Sequence, residues 1–152
     1  MAGFEPTEDA RTFGSGEGEV VLWFPADGAV AARMTGHIVG RVAAATFAEI
    51  DRVAQTREHP GRGFADFTAM SGFDWEAKGV LVRWNIAHRH QAARFDVLSG
   101  SWITHAMITA LGTILRHRLV SHADRATFES AYAVMLRNSA GRLRRTRLSS
   151  PP

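Results

Sequence analysis

The chain has 152 residues, 45% of them hydrophobic and 22% charged, with 18 Lys+Arg against 15 Asp+Glu and no cysteine. This size and composition suit one ordinary soluble domain; disulfides, thiolate metal sites and a cysteine nucleophile are excluded, and a reducing compartment fits. Glu5, Glu8 and Asp9 stand where a secretory leader needs a basic region and an apolar run, and the most apolar stretch, Trp102 to Leu115, is shorter than the ~18 to 20 residues of a membrane span, so a cytoplasmic location is expected.

Residues 1–18 are acidic and carry Gly14, Gly16 and Gly18 with little apolar content. A mobile lead is expected there, because so little burial cannot offset the entropy of ordering. Glu19 to Phe24 is an apolar run stopped by Pro25, and Pro25-Ala26-Asp27-Gly28 supplies a tight turn into a second strand, Ala29 to Thr35. From Ile38 to Arg57, Ala43, Phe47, Ile50 and Ala54 recur at helical spacing and predict an amphipathic helix ended by His59-Pro60-Gly61. Gly63 to Met70 reads as a buried strand.

Asp74 occupies an N-cap position, and Ala77, Leu81, Trp84 and His88 mark one face of a helix running to about His90. Arg94 to Ser99 is a further short strand. Gly100 and the N-cap Ser101 then open a largely buried helix, Trp102 to about Arg118, with His105, Thr109, Gly112 and Arg116 on its polar face. A brief extended piece, Ala126 to Phe128, leads to a last helix, Ala131 to Arg137, with Ser130 as its cap. Strands alternating with helices imply an α/β fold: a small mixed sheet of four to five strands packed by about four helices. The domain spans 19–137, and residues 138–152 form a basic disordered tail in which Arg142, Arg144, Arg145 and Arg147 face no acid.

The segment DFTAMSGFDWEAKG, Asp66 to Gly79, resembles the strand-loop-helix signature of the STAS fold, the family of anti-sigma-factor antagonists and SpoIIAA-like proteins. Asp66 and Thr68 match the family's aspartate-hydroxyl pair at the strand end, and Asp74 matches its loop aspartate. The last pattern, Ala126 to Leu136, is similar to the closing strand and helix of a SpoIIAA-like subgroup. The resemblance covers residues 19–137 and rests on layout more than identity. It implies a non-catalytic interaction module in bacterial signalling, docking a kinase, a phosphatase or a GTPase-type regulator. The departure is at the family's phosphoacceptor: Trp75 and Glu76 stand where a serine or threonine belongs, leaving Ser71 or Thr68 as weak substitutes.

Trp75 has two readings. It is either a lid over the sheet edge or, with Val82 and Ile86, a second apolar stripe on the helix face turned away from the sheet. Aromatic anchors dominate interface energetics, and in STAS regulators this helix start is the docking surface. The docking residues expected are therefore Ser71, Asp74, Trp75, Glu76, Val82, Arg83 and Ile86.

Ser99-Gly100-Ser101 opens a helix after a strand, where an anion is favoured, or it is a plain cap after a glycine turn. No metal site is expected, since His88 and His90 project to opposite sides of a helix and His105 and His117 lie about three turns apart. No cofactor is implied. Asp66, Asp74 and Glu76 supply carboxylates for catalysis, but no serine or threonine has a recognisable elbow or paired base. An alternative is an apolar ligand between the helices, as the related SEC14-like grouping implies. The arginine tail offers weak binding to anionic surfaces, or is simply solvated.

Overall fold

The computed structural model describes residues 3–14, 16–57, 60–91, 93–114 and 118–148. Its elements in chain order are β1 (Arg11–Gly14), β2 (Gly18–Ala26), β3 (Ala29–Ile38), α1 (Gly40–Ala54), β4 (Arg62–Phe73), α2 (Trp75–Ala87), β5 (Arg94–Leu98), α3 (Trp102–Ile114), β6 (Leu119–His122) and α4 (Arg125–Leu148). The six strands lie side by side in sequence order. β1, β2 and β3 are antiparallel neighbours, and each of the pairs β3–β4, β4–β5 and β5–β6 is parallel and joined through a helix.

Strand alternation sends side chains to two cores. Val20, Leu22, Val30, Ala32, Met34, Phe67 and Val97 face α1, α2 and α3, where Val42, Ile50, Ala77, Trp84 and Ile108 meet them. Trp23, Ala31, Phe64 and Leu98 face the other way, against Phe128, Tyr132 and Met135 of α4. The result is a three-layer α/β/α sandwich with both faces of the parallel half covered. At the β2–β3 turn Gly28 has φ +73°, as the Pro-Ala-Asp-Gly turn requires. Pro25 sits in the adjacent register shift between Trp23 and Ala26, where its missing N–H breaks no ladder bond.

Four expectations are corrected. The lead does not lie wholly outside the fold: β1 extends the sheet, and Phe4 is 1% exposed, with its ring 4.8–5.0 Å from Trp23, Phe128 and Tyr132. One fully buried phenylalanine contributes about 2 kcal/mol, and Arg33 adds a hydrogen bond to the Phe4 carbonyl at 2.6 Å. The sixth strand is Leu119–His122, and Ala126 to Phe128 is helical. Asp124, rather than Ser130, caps α4 by accepting from the Thr127 N–H at 2.9 Å. Finally, α4 continues past Arg137 to Leu148, so Arg142, Arg144 and Arg145 ride on a helix. The side chain of Arg147 lies outside the described residues, as do Arg116 and His117.

Candidate functional site

The segment from Ser71 through α2 is built on one aspartate. Asp74 is in extended backbone, and its Oδ1 accepts from the Ala77 N–H at 2.7 Å. Its Oδ2 accepts from the Gly40 N–H at 3.2 Å. Helix α1 begins after Val39, which has no capping side chain, and its first turn holds no acid. Asp74 therefore caps α2 and serves as a borrowed cap for α1. Glu76 lies over the same spot, with its side chain against the position a Gly40 Cβ would take, so a second carboxylate sits at the positive end of α1. Both acids are structural in this arrangement.

That anchoring fixes which way α2 faces. Ala77 and Trp84 are buried; Trp84 stacks on Phe47 at 4.7 Å and on His88 at 4.3 Å and donates its Nε1–H to Asp51 at 3.0 Å. His88 places Nδ1 2.8 Å from the Trp84 carbonyl and Nε2 3.1 Å from Asp51. Trp75 is 88% exposed, Val82 38% and Ile86 43%. At 100° per residue these three lie within about 40° of one another around the helix. Ser71, Glu76 and Arg83 are also exposed, and Asp74 is half-buried. The Arg83 guanidinium folds back over Gly79, 3.0 Å from where a Cβ would stand. Among the described residues, no acid pairs with Arg83 or Lys78.

The other predicted groups are engaged within the fold. Asp66 is buried and accepts from the Thr68 N–H at 2.9 Å, the Thr68 hydroxyl at 2.6 Å and Arg125 at 2.9 Å. Burial alone would raise its carboxyl, but the two Thr68 hydrogen bonds and the Arg125 guanidinium outweigh it and hold Asp66 below the usual carboxylate range. The aspartate-hydroxyl pair thus ties β4 to the start of α4. Ser101 accepts from the Thr104 N–H at 3.2 Å, as an N-cap does. A Cβ on Gly100 would come within 2.8 Å of the Thr68 carbonyl, so glycine is needed for close packing there. The Ser99 hydroxyl is 2.6 Å from that of Ser121, which is 2.7 Å from His105 Nδ1.

Several of these features escape a reading of the sequence. Trp102, expected on a largely buried helix, is 79% exposed at the first position of α3. It shares with Trp75 the signal of a tryptophan directly after a cap. Asp96 is fully buried on β5 and is held by Arg94 at 2.7 Å, Arg62 at 3.2 Å and His122 at 2.7 Å. No local motif announces that cluster, because its members come from three different strands. Among the described residues no group of three or more His, Asp or Glu is placed to hold a metal ion, and no helix is long and apolar enough to cross a membrane.

No family model matches the chain, and no curated protein matches its sequence. Solved structures do match its fold. A protein of the DUF3478 family with a SpoIIAA-like fold, from Shewanella loihica PV-4, superposes with a TM-score of 0.52 at 9% identity over 78% of this chain and 88% of its own. The anti-sigma factor antagonist SpoIIAA in its unphosphorylated form superposes with a TM-score of 0.51 at 14% identity over 68% of this chain and 86% of its own. With the six-stranded sheet, the helical crossovers and the strand-loop-helix at Asp66 to Gly79 in place, the chain has the SpoIIAA-like fold.

Proposed function

We propose that this chain is a non-catalytic interaction module of a bacterial regulatory system, docking a protein partner through residues 71–86 with Trp75 as the anchor. The observation that carries this reading is the exposed stripe Trp75, Val82 and Ile86 on a helix whose opposite face is already packed. A tryptophan left 88% in water gains most from a pocket on another molecule, where truncating such an anchor costs roughly 2 kcal/mol or more. Lys78 and Arg83 flank the stripe without acidic partners among the described residues, which favours a partner surface that is acidic around an apolar pocket. The SpoIIAA-like fold of the two matched structures, one of them an anti-sigma factor antagonist, supports a protein partner, and we take that partner to be a kinase, a phosphatase or a GTPase-type regulator. Ser71 is exposed on the same segment, whereas the Thr68 hydroxyl is committed to Asp66. Any phospho-switch therefore belongs to Ser71 or to the partner.

The test is quantitative affinity capture from the native organism with the wild-type chain, Trp75→Ala, Ile86→Ala and, as a control, Val134→Ala, which removes an exposed side chain from α4. A partner held in fixed ratio by wild type and Val134→Ala, and lost at least tenfold by the two α2 variants, is expected. Equal capture by all four chains contradicts the proposal.

A further inference from the structure

Between the sheet and the helices α1, α2 and α3 lies a cavity of about 250 Å³ that is open to solvent on one side. Protein interiors are close-packed, with few voids larger than a water molecule, and an apolar cavity of this kind disfavours water. Its walls are apolar: Leu22, Met34 and Phe67 from the sheet, Phe47 from α1, Leu81 from α2 and Ile108 from α3. A cavity of roughly 150 Å³ holds benzene, so 250 Å³ accommodates on the order of ten carbon atoms.

One end of the lining is different. Lys78, Leu81, Val82 and Asn85 all contribute to the wall, and their spacing of three, one and three residues puts them on one face of α2. Lys78 is the single lysine in a chain with 18 Lys+Arg. It is exposed, and no acid pairs with it among the described residues. A long aliphatic stem can lie along the cavity wall while the ammonium stays at the wet end. An apolar chamber for about ten carbons, with one cation at its mouth, matches a single aliphatic chain that ends in a carboxylate.

We infer that the cavity is a binding site for a medium-chain aliphatic carboxylate, its chain between the sheet and the helices and its head group paired with Lys78. This does not depend on the docking proposal, although the two meet on α2: Val82 is both part of the cavity wall and part of the exposed stripe. An occupant would press on the helix that carries Trp75.

The experiment is calorimetric titration of the full chain with decanoate and with decanol, in wild type and Lys78→Met. Wild type should bind decanoate at one site and saturate. Decanol, which fills the chamber without the charge, should bind about tenfold more weakly. Lys78→Met should bring decanoate down to the level of decanol and leave decanol unchanged. Because Lys78 is exposed, the variant should keep the wild-type melting temperature, which is checked in parallel. A second variant, Leu81→Trp, fills the chamber and should abolish binding of both compounds. Absence of saturable decanoate binding to the folded wild type overturns the site, and so does binding that survives Leu81→Trp in a folded protein. Equal affinity for decanoate in wild type and Lys78→Met overturns the role of the lysine. None of these outcomes bears on partner capture, so the two proposals fail separately.

Discussion

Replacing Asp74 separates a structural role from a docking role at the start of α2. In Asp74→Ala the Ala77 N–H loses its cap, which costs about 1 kcal/mol. The Gly40 N–H also loses the oxygen 3.2 Å away, and an abandoned partly buried donor costs about another 1 kcal/mol. Together, about 2 kcal/mol lowers the melting temperature of a chain this size by roughly 4–8 °C. Asp74→Asn is the informative companion. Asparagine caps as well as aspartate does, but it has one carbonyl oxygen for two N–H donors that use different oxygens in the native chain. It should recover about half the loss. Thermal unfolding followed by far-ultraviolet circular dichroism, with urea midpoints as a check, measures both. If Asp74→Ala melts with the wild type, or if Asp74→Asn falls as far as Asp74→Ala, the shared-cap reasoning is wrong.

Two tryptophans on the same helix should behave oppositely. Trp84→Ala removes a ring that is 7% exposed, stacked on Phe47 and hydrogen-bonded to Asp51, and should cost about 3–5 kcal/mol, whereas Trp75→Ala should stay within about 0.5 kcal/mol of wild type by urea denaturation. A large loss at Trp75 would favour the lid over the anchor. Asp66 predicts an acid limb in stability: its carboxyl is held low in the folded state, so its contribution is present above the unfolded value of about 3.9 and is lost as pH falls through the folded value. Arg125→Gln should reduce the fall in urea midpoint as pH drops below about 4, and an unchanged pH profile would remove Arg125 from that account. Gly100→Ala should destabilise by about 1–3 kcal/mol, because its Cβ would stand within 3.0 Å of Thr68 backbone atoms; a neutral effect would show that the loop can shift.

What the sequence makes legible here depends on how local each signal is. The order from β2 to the start of α3 follows from turn residues, caps and spacing that sit within a dozen positions of one another. The last helix was harder. Phe128, Tyr132 and Met135 form a helical stripe against the sheet, but Asp124, the true cap, follows a strand, Leu119–His122, too short to register. Phe4 shows the opposite failure: its segment is polar enough to read as mobile, and only its three aromatic neighbours, far along the chain, explain its burial. At the candidate site the two faces of α2 were readable from the 3.6-residue period alone. The double use of Asp74 was not, because Gly40 lies 34 positions earlier. The Asp96 cluster and the cavity share this cause: the cluster forms only when β4, β5 and β6 are parallel neighbours, and the cavity is walled by residues spread from β2 to α3 that meet only once the helices pack on the sheet.

The most direct measurement of the central claim is site-specific photocrosslinking in the native organism, with a photoreactive phenylalanine placed in turn at Trp75, Ile86 and Val134. One discrete adduct of the same mass from positions 75 and 86, absent from position 134, is the predicted result. No adduct at either α2 position, or the same adduct at all three, would contradict α2 as the docking face.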